Sequence, residues 1–63
     1  MSAAKQITVR VDTELVDIWV AQDGRATWRA WGDFRGKPLD AKGSSESNAK
    51  DRWKEKADLI DKA

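Results

Sequence analysis

The fold is decided by residues 15–31, which read LVDIWVAQDGRATWRAW. On both sides of Asp23-Gly24, apolar and polar residues alternate with the period of a β-strand that has one buried face. Glycine at the third position of the loop Gln22-Asp23-Gly24 fits a three-residue hairpin loop, where it adopts the left-handed conformation. The stretch therefore predicts two antiparallel strands, the first from about Leu15 to Ala21, joined by a tight loop.

A three-residue loop also predicts which residues face each other, because loop length fixes the register of a hairpin. It pairs Ala21 with Arg25. On the core face, Val20 then lies opposite Ala26, Ile18 opposite Trp28 and Val16 opposite Ala30. On the outer face, Trp19 lies opposite Thr27, Asp17 opposite Arg29 and Leu15 opposite Trp31. A two-residue Asp23-Gly24 loop would place Arg29 on the side of Ile18 and Val9, so we reject it.

Before this hairpin, the alternation of Ile7, Val9 and Val11 with polar residues predicts another strand. We expect residues 1–6 to be disordered, because they are small and polar and lie at a terminus. No apolar run follows them. We therefore expect no secretory signal, no membrane-spanning segment and a location in the cytoplasm.

After the hairpin, the third strand is expected to continue to Phe34. The turn-forming residues 35–38, RGKP, predict a four-residue loop that sets Phe34 opposite Leu39. A short fourth strand, from Leu39 to Lys42, is then plausible, and a proline at its entry suits an edge strand.

The last third of the chain predicts a single helix. Gly43-Ser44-Ser45-Glu46 supplies a serine cap and an acidic residue in the first turn. One apolar stripe with helical spacing follows: Ala49, Trp53, Ala57 and Ile60. Together these patterns predict one α+β domain over residues 1–63, an antiparallel β-meander of three to four strands packed on one C-terminal α-helix.

The chain contains four tryptophans, and the predicted register divides them between two environments. Trp28 and Trp53 fill the core, whereas Trp19 and Trp31 are left substantially exposed on the outer face of the sheet. Large exposed aromatics mark interaction sites, and Trp and Arg are enriched at binding hot spots. The candidate partner-binding residues are Arg10, Trp19, Thr27, Arg29, Trp31 and Lys42. The alternative is cross-strand packing, with Trp31 over Lys42 or Leu15 and Trp19 over Thr8 and Arg29.

Composition argues against catalysis and against a metal site. The chain has no cysteine and no histidine, so disulfides, the usual zinc ligands and the commonest catalytic bases are missing. Three serines, Ser44, Ser45 and Ser47, lie together at the helix start, where capping explains them. No glycine-rich phosphate-binding motif is present. We therefore predict a protein that is not an enzyme, with no cofactor, no metal and no small-molecule substrate.

The balance of charge favours a protein as the partner. Twelve basic and eleven acidic residues leave a net charge of +1, which predicts no strong attraction to nucleic acid or to anionic membranes. Asp17 lies between two arginines of the predicted face, and Asp33 and Asp40 flank Trp31. A neutral patch with aromatics and arginine is typical of a protein interface. We expect an adaptor or inhibitor that binds a protein partner, or self-association through this face.

The alternative is a nucleic-acid-binding domain that uses the same face, because aromatics stack on bases and arginines hold phosphate or guanine. The stretch Trp19-Val20-Ala21-Gln22, then Arg29-Ala30-Trp31 and an alanine-rich helix, is similar in layout to plant ethylene-responsive-type DNA-binding domains. That resemblance implies a three-stranded sheet, backed by a helix, whose arginines and tryptophans read DNA. Gly43-Ser44-Ser45 leading to Ala49 resembles the start of the last helix in double-stranded RNA-binding domains. This chain departs from the first family in its low positive charge and expected fourth strand, and from the second in showing no earlier helix.

Overall fold

A computed structural model describes residues 4–62 of the chain. Its elements are β1 Lys5–Val11, β2 Glu14–Gln22, β3 Trp28–Phe34, β4 Lys37–Gly43 and α1 Glu46–Lys62. The strands form one antiparallel sheet in the order β1-β2-β3-β4, so neighbours along the chain are neighbours in space. The predicted α+β fold, a meander followed by one C-terminal helix, is confirmed.

The first hairpin joins β1 to β2 through the turn at Asp12, whose φ is +59°. Val9 pairs with Val16 across it, and both point to the core. The prediction that residues 1–6 are disordered is wrong for Lys5 and Gln6, which belong to β1. Residues 1–3 lie outside the described part of the chain.

The register between β2 and β3 differs from the predicted one. Ala21 pairs with Arg29 instead of Arg25. The loop therefore runs from Asp23 to Thr27, and it is closed by a 2.7 Å hydrogen bond from the N–H of Asp23 to the carbonyl of Thr27. Because the shift of four residues is even, the residues that remain in β2 and β3 keep the faces predicted for them, whereas Ala26 and Thr27 lie in the loop.

The connection from β3 to β4, in contrast, is shorter than predicted. Phe34 pairs with Lys37 rather than with Leu39, so only Arg35 and Gly36 form the turn. Both residues have positive φ, +52° and +80°, as a two-residue type I′ hairpin turn requires. The fourth strand is confirmed, but it begins at Lys37 because the turn ends two residues earlier.

The helix lies across one face of the sheet and closes the core. Its buried residues are Ala49, Trp53 and Ala57, as the stripe predicted, and Ile60 is partly buried. The indole N–H of Trp53 donates a hydrogen bond of 3.1 Å to the carbonyl of Leu39. Its ring meets Phe34 edge-on, with centroids 6.3 Å apart. Trp53 therefore joins the helix to both β3 and β4.

Trp28 is only partly buried, which corrects the prediction that it fills the core. In the observed register it lies at the end of β3, opposite Gln22 on one side and Gly43 on the other. Phe34, which is fully buried, is the aromatic residue of β3 that packs against Trp53. The error follows directly from the register, since the predicted pairing placed Trp28 opposite Ile18.

The helix start is built by side-chain capping. The hydroxyl of Ser45 accepts a hydrogen bond of 3.1 Å from the N–H of Asn48, and the Asn48 side chain accepts one of 3.2 Å from the N–H of Ser44. These contacts satisfy backbone groups that a helix terminus leaves without partners.

Within residues 4–62, no helix is both long and apolar enough to cross a membrane.

The opposite end of the molecule is held by Arg35. Its guanidinium lies 3.3 Å from a carboxylate oxygen of Glu14 and 2.5 Å from one of Asp61, and it covers the ring of Phe34 at 4.9 Å. Desolvation alone would lower the pKa of Arg35, but hydrogen bonds with Asp61 and Glu14 raise it above its usual value. One side chain thus connects the start of β2, the last sheet turn and the end of α1.

Candidate functional site

The face of the sheet that points away from α1 carries two tryptophans side by side. Trp19 on β2 and Trp31 on β3 are direct cross-strand partners. The sequence predicted them on this face but opposite Thr27 and Leu15, so the structure brings them closer together than expected. The alternation of β2, with Ile18 buried against the helix, fixes this direction for Trp19. We call this surface the outer face: Gln6, Thr8, Arg10, Leu15, Asp17, Trp19, Ala21, Arg29, Trp31, Asp33, Pro38, Asp40 and Lys42.

The two tryptophans differ in exposure. Trp19 is 41% exposed, which is high for a residue of this size. Trp31 is partly buried, although the sequence predicted substantial exposure, and the guanidinium of Arg29 lies 5.5 Å from its ring centroid. Packing over neighbours, the alternative considered for both residues, thus applies in part to Trp31. The accessible aromatic surface centres on Trp19, with Trp31 held beside it.

Charged residues lie on both sides of the aromatic pair, with opposite signs. On one side are Arg29 and Lys42, which are cross-strand partners on β3 and β4. On the other side are Asp33, two residues after Trp31, and Asp17, two residues before Trp19. Because β2 and β3 are antiparallel, these aspartates lie at the same side. Two strand residues span about 7 Å, so each charged row lies close to the aromatic row.

Local contacts hold some of these charges in place. The hydroxyl of Thr8 on β1 donates a hydrogen bond of 2.8 Å to the carboxylate of Asp17. The ammonium of Lys42 lies 4.0 Å from a carboxylate oxygen of Asp23 in the β2–β3 loop. Both contacts are solvent-exposed, so they orient the side chains more than they stabilise the fold.

Two predicted site residues do not join the cluster. Arg10 is paired with Leu15, four residues along β2 from Trp19, and its Nε donates to the carbonyl of Asp12 at 3.3 Å. Four strand residues correspond to about 13 Å. Thr27 lies in the loop, because the loop is longer than predicted. The residues that the structure brings together are Trp19, Arg29, Trp31 and Lys42.

Sequence reasoning missed Gln6, which is the cross-strand partner of Trp19 on β1. It was assigned to a disordered terminus. The signal that could have placed it is the alternation of the first strand, since Gln6 precedes Thr8 by two residues and shares its face. Gln6 therefore extends the aromatic row to the β1 edge of the sheet.

The outer face also carries a depression next to the aromatic pair. A shallow open depression of about 370 Å³ lies beside Trp31, lined by Arg29, Gly32, Asp33, Pro38, Leu39 and Asp40. In the part of the chain that the structure describes, no group of three or more His, Cys, Asp or Glu residues could hold a metal ion. The arrangement suits contact with an aromatic or charged side chain of a partner.

Comparison of the chain with protein-family models, with curated proteins and with solved structures found no match. The four-stranded sheet also differs from the three-stranded sheet implied by the resemblance to plant ethylene-responsive-type DNA-binding domains. Function has to be argued from the geometry and chemistry of the outer face.

Proposed function

We propose that this chain is a non-enzymatic protein-binding module, of the adaptor or inhibitor kind, that docks through its outer face. The observation that carries the proposal is the pairing of Trp19 with Trp31, one exposed and the other covered by Arg29. Together these three residues supply the two residue types most enriched at binding hot spots. They lie next to one another near the middle of the sheet.

The position of these side chains in the sheet keeps the entropic cost of binding a partner low. All of them stand on paired strands, so little backbone freedom would be lost when a partner binds. A tryptophan buries a large area with only two side-chain torsions to fix, which keeps the entropic cost of binding low. A partner that covered Trp19 would gain from removing its exposed indole surface from water.

Nucleic acid is the second candidate, and one contact favours it. Arg29 over Trp31, with Lys42 beside them, could hold a stacked base and a neighbouring phosphate. However, Asp17 and Asp33 lie on the other side of the aromatic row and would repel a phosphate backbone that crossed it. The mixed signs therefore favour protein over nucleic acid.

Indole NMR can test the proposal directly. The protein, labelled with ¹⁵N at tryptophan and kept too dilute to associate with itself, is compared in buffer and in extract of its source cells with and without nuclease treatment. We expect the indole signals of Trp19 and Trp31 to change chemical shift in both samples, while the chemical shift of Trp53 stays unchanged because this residue is buried.

Loss of the effect after nuclease treatment would transfer the assignment to nucleic acid. Unchanged chemical shifts of Trp19 and Trp31, or changes no larger than that of Trp53, would contradict a binding site on the outer face.

A further inference from the structure

We infer that the outer face binds a second copy of this chain, an inference that rests on the proposed function and names its partner. The two sheets pack face to face across a two-fold axis that runs along the row of Trp19 and Trp31. In this arrangement the aromatic rows of the two copies meet at the centre of the interface.

The two charged rows beside the aromatic pair are complementary about this axis, whereas Asp40, the partner of Trp31 on the edge strand β4, faces its own copy at the margin of the interface. Arg29 and Lys42 lie on one side of the aromatic row, and Asp17 and Asp33 lie on the other. Rotation by half a turn about the row exchanges the two sides. Each basic row then faces the acidic row of the second copy, and Arg29 of one copy lies opposite Asp33 of the other. An interface of this kind is isologous, with the same patch used twice.

The same pattern excludes the other simple face-to-face arrangement. A two-fold axis along the strand direction would leave each charged row facing the same row of the second copy, and an axis along β3 would set Arg29 against Arg29 and Asp33 against Asp33. Like charges brought together at an interface are costly, and such contacts suppress wrong pairings. The pattern thus selects one orientation of the second copy.

Two of these charges have no ionic partner within the described residues. Among the ion pairs of residues 4–62, none includes Arg29 or Asp33. Arg29 instead lies over the ring of Trp31. An Arg29–Asp33 contact across the interface would give each of them a partner, and the two-fold axis would form this contact twice.

The size of the molecule limits the surface area that such a dimer can bury. A standard interface buries about 800 Å² per partner, which is a large part of the 4402 Å² accessible surface here. The molecule measures 35 × 17 × 17 Å, so the outer face is smaller than that standard. We therefore expect a weak, reversible dimer rather than a permanent one.

Sedimentation equilibrium of the full chain, from low micromolar to millimolar concentration, tests the inference. The wild type should dimerise, and Arg29→Asp and Asp33→Arg should each weaken self-association by at least about tenfold. An equimolar mixture of the two variants should dimerise again, because both Arg–Asp contacts are formed in the heterodimer. Lys54→Asp, on the exposed surface of α1, is the matched control and should dimerise as the wild type does.

A wild type that stays monomeric at millimolar concentration overturns the inference, as does a dimer that neither substitution weakens or a mixture without recovery. Circular dichroism of each variant establishes that it is folded. None of these outcomes tests the proposed function. The proposed function fails only if the indole chemical shifts of Trp19 and Trp31 stay unchanged in extract, or change no more than those of the other tryptophans. The two failures are therefore distinguishable.

Discussion

At the scale of single residues, Gly32 on β3 lies so close to Ile18 on β2 that no side chain fits at this position. A Cβ atom added to it would lie 2.9 Å from Cγ2 of Ile18 and 3.2 Å from its Cα. Contacts this short force backbone to move. We predict that Gly32→Ala lowers the free energy of unfolding by about 1–3 kcal/mol, measured by urea denaturation.

The neighbouring Asp33 provides the control for that measurement, because it is exposed on the opposite side of the strand. Asp33→Ala should change the free energy of unfolding by no more than about 0.5 kcal/mol. A Gly32→Ala variant as stable as the wild type would show that the strands can separate at no cost.

Trp53 and Trp19 illustrate the difference between a structural and a surface tryptophan. Trp53 is fully buried and bonds to Leu39, whereas Trp19 is 41% exposed. We predict that Trp53→Ala costs about 3–5 kcal/mol, which is most of the stability of a domain this small. Trp19→Thr should cost only about 1 kcal/mol or less, since it removes a cross-strand pair but leaves the core intact.

Thermal unfolding followed by circular dichroism distinguishes the two variants. A Trp53→Ala protein with a cooperative transition near that of the wild type would show that α1 is not the lid of the core. A Trp19→Thr protein as damaged as Trp53→Ala would assign Trp19 to the fold instead of to binding.

At the scale of elements, alternation along the strands determined the faces but not the register. Ala21 pairs with Arg29, whereas the sequence predicted Arg25, and both pairings put apolar residues opposite apolar residues on the core face. Alternation leaves open every register that is shifted by an even number of residues, because all of these keep the same side chains on the core face. The choice among these depends on loop geometry, here the hydrogen bond between Asp23 and Thr27, and on the close approach of Gly32 to Ile18.

The helix was easier to predict, because its signals are local. A serine cap, an acidic first turn and an apolar stripe all lie within residues 43–60 and agree with one another. We predict that Ser45→Ala, which removes the acceptor for the N–H of Asn48, destabilises the protein by about 1 kcal/mol in urea denaturation. Ser47→Ala, at an exposed position in the same turn, should have little effect. Equal effects of the two substitutions would contradict Ser45 as the cap.

At the scale of the whole molecule, one ionic cluster joins parts of the chain that are distant in sequence. Arg35 contacts both Glu14 and Asp61, so it ties the sheet to the end of α1. We predict that Asp61→Asn lowers the thermal midpoint by a few degrees at low salt, and that this difference shrinks as salt screens the pair. Asp51→Asn, at an exposed helix position, is the control. A difference that does not depend on salt would mean that packing, and not charge, explains the effect of Asp61.

The assembled site is also a property of the whole molecule, and only part of it could be predicted. Trp19, Arg29, Trp31 and Lys42 were placed on one face because alternation is visible in the sequence. The cross-strand pairing of the two tryptophans, and the position of Thr27 in the loop instead of in a strand, depend on the register of β2 and β3. They could not be predicted without it. The opposite signs on the two sides of the aromatic row became visible only when the strands were aligned.

Site-specific photo-crosslinking can show whether this chain contacts other protein molecules through its outer face, as we propose. A photoreactive phenylalanine derivative replaces Gln6, which is exposed beside Trp19, or, as the control, Leu59, which is 71% exposed on α1. After irradiation in extract of the source cells, we predict discrete protein adducts, the chain's own dimer among them, from position 6 only. Adducts from position 59 alone, or equally from both positions, would contradict the claim.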